Sequence, residues 1–275
     1  MNNNSSDKPK SLLSLINRFV NAPKSVSLPV LTFHAIDDRP SVISFSPRLF
    51  RRGMARLHER GYRTLSLLDA VDCLSQRKPF PERSFTITFD DGYRSVFDEA
   101  FPVLKHYKMT ATVFLAVGEK RVSGHGARLP SLEGRQMLSW DEIREMRDSG
   151  INFGAHTLTH PDLTQLSLEQ AEFEIYESKA TIEDALKVPV ASFAYPYGRY
   201  DNKSVEIVEQ HFACACSDKL GLATAGSNPY ALERVEAYYL RSERLFDIML
   251  TNMFPLYIRA RSIPRGIRRA FNPDL

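Results

Sequence analysis

The chain has 275 residues, 43% hydrophobic and 25% charged, so it holds material for one large domain or two small ones with a real core. A net charge of +3 does not argue for nucleic acid, and three cysteines (Cys73, Cys214 and Cys216) are few and odd in number, so neither disulfides nor a structural metal are needed for folding. No apolar run reaches the ~20 residues of a membrane span. Residues 1–10 are rich in Asn, Ser, Lys and Asp, a composition expected to be disordered, and residues 11–20 read as a short amphipathic helix ended by Pro23. Asn17 and Arg18 interrupt that apolar stretch and no small-residue cleavage site follows, so it is not read as a secretory signal and a cytoplasmic protein is the default.

A strand pattern over residues 27–34 ends at His34, followed by the loop Asp37-Asp38-Arg39-Pro40. Helical spacing covers residues 50–61, with Gly61 as the stop, and residues 66–74. Ser84-Phe85-Thr86-Ile87-Thr88-Phe89 reads as a buried strand opening into Asp90-Asp91-Gly92. A helix over 96–107 contains Pro102 as an irregularity, then residues 110–117 form a strand closed by Gly118. Residues 121–135 read as a long polar surface loop, a candidate lining for a substrate cleft that carries no readable specificity. Ser139 with Glu142 and Ser167 with Gln170 are capping boxes opening helices to Gly150 and to about Lys187. Strands over 151–156 and 189–195 end at His156 and Tyr195; a helix over 202–210 and strands over 212–216 and 235–240 follow. Cys214 and Cys216 share one face of their strand as reduced core residues. The alternation favours an α/β fold with a mainly parallel sheet, open or closed into a barrel, and the absence of Gly-x-Gly-x-x-Gly at the first helix gives a dinucleotide fold no support.

The regularity that matters is chemical. Strands ending at His34, Asp90, His156 and Tyr195 deliver polar groups at their C-terminal ends, where α/β folds bind ligands. Adjacent carboxylates resist joint ionisation unless a cation is near, so Asp90-Asp91 points to a metal site or a base beside one, although an isolated Asp-Asp-Gly is more often a solvated turn. His156-Thr157-Leu158-Thr159-His160 places two imidazoles four residues apart, and Pro161 makes a tight turn off the strand a better reading than a helix. Two histidines and a carboxylate with an open position suit catalytic Zn²⁺. A two-histidine, one-carboxylate iron oxygenase is disfavoured, because a free base beside the metal serves hydrolysis better.

These residues resemble the polysaccharide deacetylases, also called carbohydrate esterase family four or NodB-homology domains. Thr88-Phe89-Asp90-Asp91-Gly92 is similar to the first motif of that family and His156-Thr157-Leu158-Thr159-His160 to its second. The resemblance implies a distorted (β/α) barrel of about seven strands in a single catalytic domain over residues 27–245, between an N-terminal extension (1–26) and a basic C-terminal tail (246–275). It implies Asp91, His156 and His160 as ligands of a divalent metal, Zn²⁺ being the expected ion, and Asp90 as general base. The substrate it implies is an N-acetylated sugar or glycan, with no nucleic acid partner.

Two departures matter. Where the family's third motif commonly reads Arg-Pro-Pro-Tyr-Gly, this chain has Ala194-Tyr195-Pro196-Tyr197-Gly198, so the arginine that orients the base is missing there, and Arg234 or Arg199 are the substitutes to consider. No histidine beyond His211 can serve as the late general acid; His34, on a strand similar to the N-terminal strand of the circularly permuted branch related to poly-N-acetylglucosamine deacetylases, takes that role. The expected reaction uses a metal-bound water as nucleophile, Asp90 as its base, His34 as proton donor to the amine and the backbone N–H of Tyr197 at the oxyanion, with Pro196 and Tyr195 beside it. Hydrolysis of another amide (a formamide or imide) and an inactive metal-containing glycan binder are the alternatives, the second kept open by Ala194. Five arginines between residues 257 and 275 offer peripheral contact with an anionic inner membrane or a lipid-linked substrate, against the simpler reading of a solvated basic tail.

Overall fold

The computed structural model describes residues 27–118 and 126–271; the readings over residues 1–26, and that of residues 121–125 within the long loop, lie outside the described residues. In chain order the strands are β1 (Ser27–Leu28), β2 (Val30–Phe33), β3 (Arg63–Thr64), β4 (Ser84–Phe89), β5 (Thr112–Leu115), β6 (Asn152–Ala155), β7 (Ser192–Ala194), β8 (Cys214–Leu220), β9 (Ala223–Thr224) and β10 (Leu232–Glu236). Seven of them, in the order β2-β4-β5-β6-β7-β8-β10, close a parallel barrel, because β2 pairs with β4 on one side and β10 on the other. The chain's first long strand therefore seals the gap between the second and the last. Parallel pairing throughout brings all seven C-terminal ends to one rim.

Side-chain alternation sorts each strand. On β4, Phe85, Ile87 and Phe89 face the helices and join Phe33, Phe50 and Met54 in the main core. Thr86, Thr88 and Asp90 take the other face, and Thr88 Oγ1 lies 2.9 Å from Thr32 Oγ1 on β2. A second cluster of Phe114, Ala194, Cys214, Cys216 and Leu232, closed by Leu67 and Val71 of the Leu67–Ser75 helix, fills the lumen toward the opposite end. Cys214 and Cys216 are thus free thiols on one face of β8, as the spacing suggested.

Local chemistry explains the boundaries. Ser139 and Ser167 cap the Trp140–Asp148 and Leu168–Leu186 helices with complete capping boxes. Pro102 has no N–H to give, and the helix there is a π-turn, Val96–Ala100, running into Phe101–Tyr107. Pro29 likewise splits the first strand: its carbonyl accepts from Thr86 N at 2.9 Å, while β1 turns off to pair antiparallel with β9.

Two expectations are corrected. The last strand is β10 over Leu232–Glu236, and residues 237–240 form a 3₁₀ turn. The stretch expected as a solvated tail is helical, Glu243–Ile248 and then Phe254–Phe271; the boundary at 246 falls inside the first of these, and Phe246, Met249, Phe254 and Ile258 are buried in the core. Phe246 seats over Gly53 of the Pro47–Glu59 helix, flanked by the pairs Arg52–Glu243 (2.6 Å) and Arg56–Asp247 (2.5 Å). Among the described residues, no helix is long and apolar enough to cross a membrane.

Candidate active site

Asp91 follows β4 in a left-handed conformation (φ 73°), and Gly92 after it (φ 87°) completes a turn that any Cβ would drive into Leu115 and Leu129. The turn points the Asp91 carboxylate inward, where it is nearly inaccessible to solvent. His156 Nε2 and His160 Nε2 stand 3.4 and 3.3 Å from its Oδ1, and the three ligand atoms lie within 4.8 Å of one another. His156 Nδ1 is 2.7 Å from the Ala194 carbonyl, so that nitrogen carries the proton and Nε2 presents its lone pair toward Asp91. Asp91 Oδ1 is buried without a hydrogen-bond partner. A buried carboxylate oxygen left unpaired between two imidazole nitrogens is a donor set that fits a divalent cation. Burial pushes the Asp91 carboxyl up, but the imidazoles beside it override this and hold it well below the usual carboxylate range.

Asp90, next in the chain, is held differently. It faces the lumen, and Arg234 of β10 grips it with Nη1 to Oδ1 at 2.8 Å and Nη2 to Oδ2 at 2.7 Å, while Arg234 Nε donates to the Ser217 carbonyl at 2.8 Å. Both side chains are almost wholly buried. Burial opposes ionisation of Asp90, yet the guanidinium wins and its pKa is lowered. His34, one residue beyond β2, places Nε2 at 3.9 Å from Asp90 Oδ2. Burial lowers the His34 pKa, and the Asp91, Asp90 and Glu236 carboxylates together raise it above the ordinary value. The site thus holds one carboxylate facing two imidazoles and a second one between an arginine and a third imidazole.

Of the two arginines considered as substitutes for Ala194, Arg234 lies on Asp90 and Arg199 does not: it pairs with Asp162 at 2.9 Å. Tyr197 sits at the rim, 60% exposed, its ring 4.7 Å from that of His160. Its backbone is left-handed (φ 57°), as is that of Gly198 after it (φ 63°), where a Cβ would come within 2.1 Å of Asp218 Cβ. Tyr195 is corrected as a substrate contact: its side chain is fully buried and its hydroxyl donates to the Tyr230 carbonyl at 3.0 Å. Pro196 is also buried, so both shape the turn from beneath. Glu174, on the Leu168–Leu186 helix, went unmarked in the sequence; its carboxylate accepts from the loop between His156 and His160. A glutamate on a polar helix face gives no signal that would single it out.

The family model described as polysaccharide deacetylase matches residues 77–212. Over 236 residues the chain is 30% identical to YxkH of Bacillus subtilis (strain 168), provisionally named a polysaccharide deacetylase, an alignment covering 86% of this chain and 80% of that one. This chain belongs to the polysaccharide deacetylase family. Members of that family are hydrolases acting on amide bonds, and the deacetylase barrel recurs in solved structures. The Streptococcus pyogenes deacetylase PplD, solved with acetate, superposes with a TM-score of 0.69 at 26% identity, over 77% of this deacetylase and 92% of that chain. IcaB from Ammonifex degensii gives 0.66 at 27% identity over 78% and 95%. A poly-beta-1,6-N-acetyl-D-glucosamine N-deacetylase of Staphylococcus aureus (strain MSSA476) is 29% identical over 171 residues, which span 57% of this deacetylase and 55% of that relative.

Proposed function

We propose that this chain removes N-acetyl groups from an N-acetylated sugar or glycan, using a divalent cation, Zn²⁺ by its ligand chemistry, held by Asp91, His156 and His160. The observation that carries this reading is Asp91 Oδ1, buried and unpaired between two imidazole nitrogens, with a second, separately held carboxylate one residue away. A cation bound there supplies Lewis acidity and lowers the pKa of a bound water toward neutrality. Asp90, kept ionised by Arg234, accepts the proton of the attacking water. The backbone N–H of Tyr197 meets the oxygen on which negative charge develops. As the C–N bond breaks, His34 donates a proton to the departing nitrogen, which leaves poorly without one; the raised pKa of its imidazole suits it to carry that proton. Tyr197, exposed beside His160, offers a face on which a sugar ring can stack.

The inactive-binder reading rested on Ala194, and Arg234 supplies the guanidinium that Ala194 lacks. A lipid-linked substrate and peripheral membrane contact rest only on the arginine-rich sequence of residues 257–275; binding to anionic vesicles that persists after their removal would end that idea. The reading itself is tested by acetate release from a panel of N-acetylated oligosaccharides, with formamides and cyclic imides alongside. Release should stop with a chelator and return with zinc. Metal-loaded protein that frees formate or opens imides but releases no acetate would shift the substrate class.

A further inference from the structure

The loop that carries both histidines is an unfavourable piece of backbone. Thr157 and His160 have φ of 66° and 63°, left-handed conformations that cost on the order of 1–3 kcal/mol each in non-glycine residues. Part of the loop is tied by itself: Thr157 Oγ1 donates to the His156 carbonyl at 2.5 Å and accepts from His160 N at 3.1 Å. Its carbonyls are tied to the end of β5, with Gly118 N donating to the Leu158 carbonyl at 2.7 Å and Val117 N to that of Thr157 at 3.4 Å. The N–H groups of Leu158 and Thr159 face the other way, toward the Leu168–Leu186 helix. There Glu174 Oε2 accepts both, at 2.9 Å each, and Oε1 accepts from Thr159 Oγ1 at 2.7 Å.

We infer that Glu174 is a positioning residue for the cation proposed above: its carboxylate holds the His156–His160 loop in the conformation that aims both Nε2 atoms at Asp91. The inference rests on that proposed metal reading. One carboxylate supplies three charge-assisted hydrogen bonds to two consecutive residues, each stronger than its neutral counterpart. Thr157 and the β5 end hold other groups of the loop, and Glu174 holds Leu158 and Thr159 from the helix side. Strand β5 fixes the backbone of His156, one residue beyond β6, since His156 N donates to the Leu115 carbonyl at 3.0 Å. His160 is four residues further on, and its direction depends on the loop keeping both left-handed residues. Releasing Leu158 and Thr159 lets that backbone relax and His160 swing away, so the donor set loses one of its three members while the barrel stays closed.

The test is a zinc titration of metal-free full-length protein against a chromophoric chelator, comparing wild type with Glu174→Ala, Glu174→Gln and the control Glu172→Ala, which removes an exposed carboxylate from the same helix. Loss of a group that orients metal ligands typically weakens binding by about 10- to 100-fold, and Glu174→Ala should raise the zinc Kd by that factor. Glu174→Gln, which keeps one acceptor oxygen, should fall between, and Glu172→Ala should match wild type. The same variants melted with chelator and with fixed zinc add a second readout. The zinc-induced rise in Tm should shrink in Glu174→Ala beyond any change in the metal-free Tm, because ligand stabilisation follows Kd. Should Glu174→Ala not fold, Glu174→Gln decides the matter in the same titration. Unchanged zinc Kd in a folded Glu174 variant overturns this role and leaves the metal reading intact. Failure of wild type to bind zinc overturns the metal reading, and Glu174's role with it.

Discussion

Asp90 and Asp91 are chemically identical neighbours that the fold sends to different partners, and substitutions should separate them. Asp91→Ala should abolish metal binding and acetate release together, by metal analysis and turnover. Asp90→Asn should keep the metal and lose turnover; normal turnover would remove Asp90 from the base role. Arg234→Met leaves a buried carboxylate without its counter-charge, a change that costs about 3–5 kcal/mol, read by urea unfolding. The pH dependence has a defined sign. Asp90's folded pKa lies below its unfolded value, so its contribution to stability is present above the unfolded value of about 4 and is lost as pH falls through the lower folded value. In chelator, wild type should lose stability over that acid window, and Asp90→Asn combined with Arg234→Met should lose less. The two motifs made Asp90, Asp91, His156 and His160 readable because their residues are adjacent or closely spaced. Arg234 was nominated only alongside Arg199, since its contact with Asp90 spans 144 residues of chain. Tyr195 was misplaced because a strand's last residue does not reveal which way its ring turns.

At the scale of single elements, the capping boxes marked helix starts correctly because their chemistry is local: side chain and backbone lie three residues apart. Ser139→Ala should cost about 1 kcal/mol by chemical denaturation, since it removes an acceptor for the Glu142 N–H. The strands β3 and β9 escaped notice because two residues carry no periodicity. Residues 237–240 read as strand because Tyr and Leu suit a pleated surface, yet their backbone turns into 3₁₀ geometry at the barrel rim. Gly198 holds the Tyr197 turn against Asp218; Gly198→Ala should displace that turn, and a raised KM for the glycan with metal content unchanged would show it.

For the whole molecule, alternating strands and helices were enough to read a mainly parallel α/β fold, and the family resemblance supplied the barrel, but neither gave the partners of each strand, which depend on contacts far apart in sequence. The C-terminal stretch was misjudged because its arginines dominate the composition, whereas Phe254 and Ile258 decide its placement. Deleting residues 254–275 should cost about 3–6 kcal/mol from those two side chains alone, seen as a lower Tm. Closure by the first long strand also governs how the protein is made. On the ribosome, β2 is completed roughly 200 residues before β10, so one edge of it must wait with its hydrogen bonds unmet. Until Arg234 is synthesised, Asp90 has no guanidinium to meet it. A nascent chain stalled before that point therefore carries an open seam and an uncompensated acid, and should be captured by chaperones or cleaved by proteases as an unfinished product.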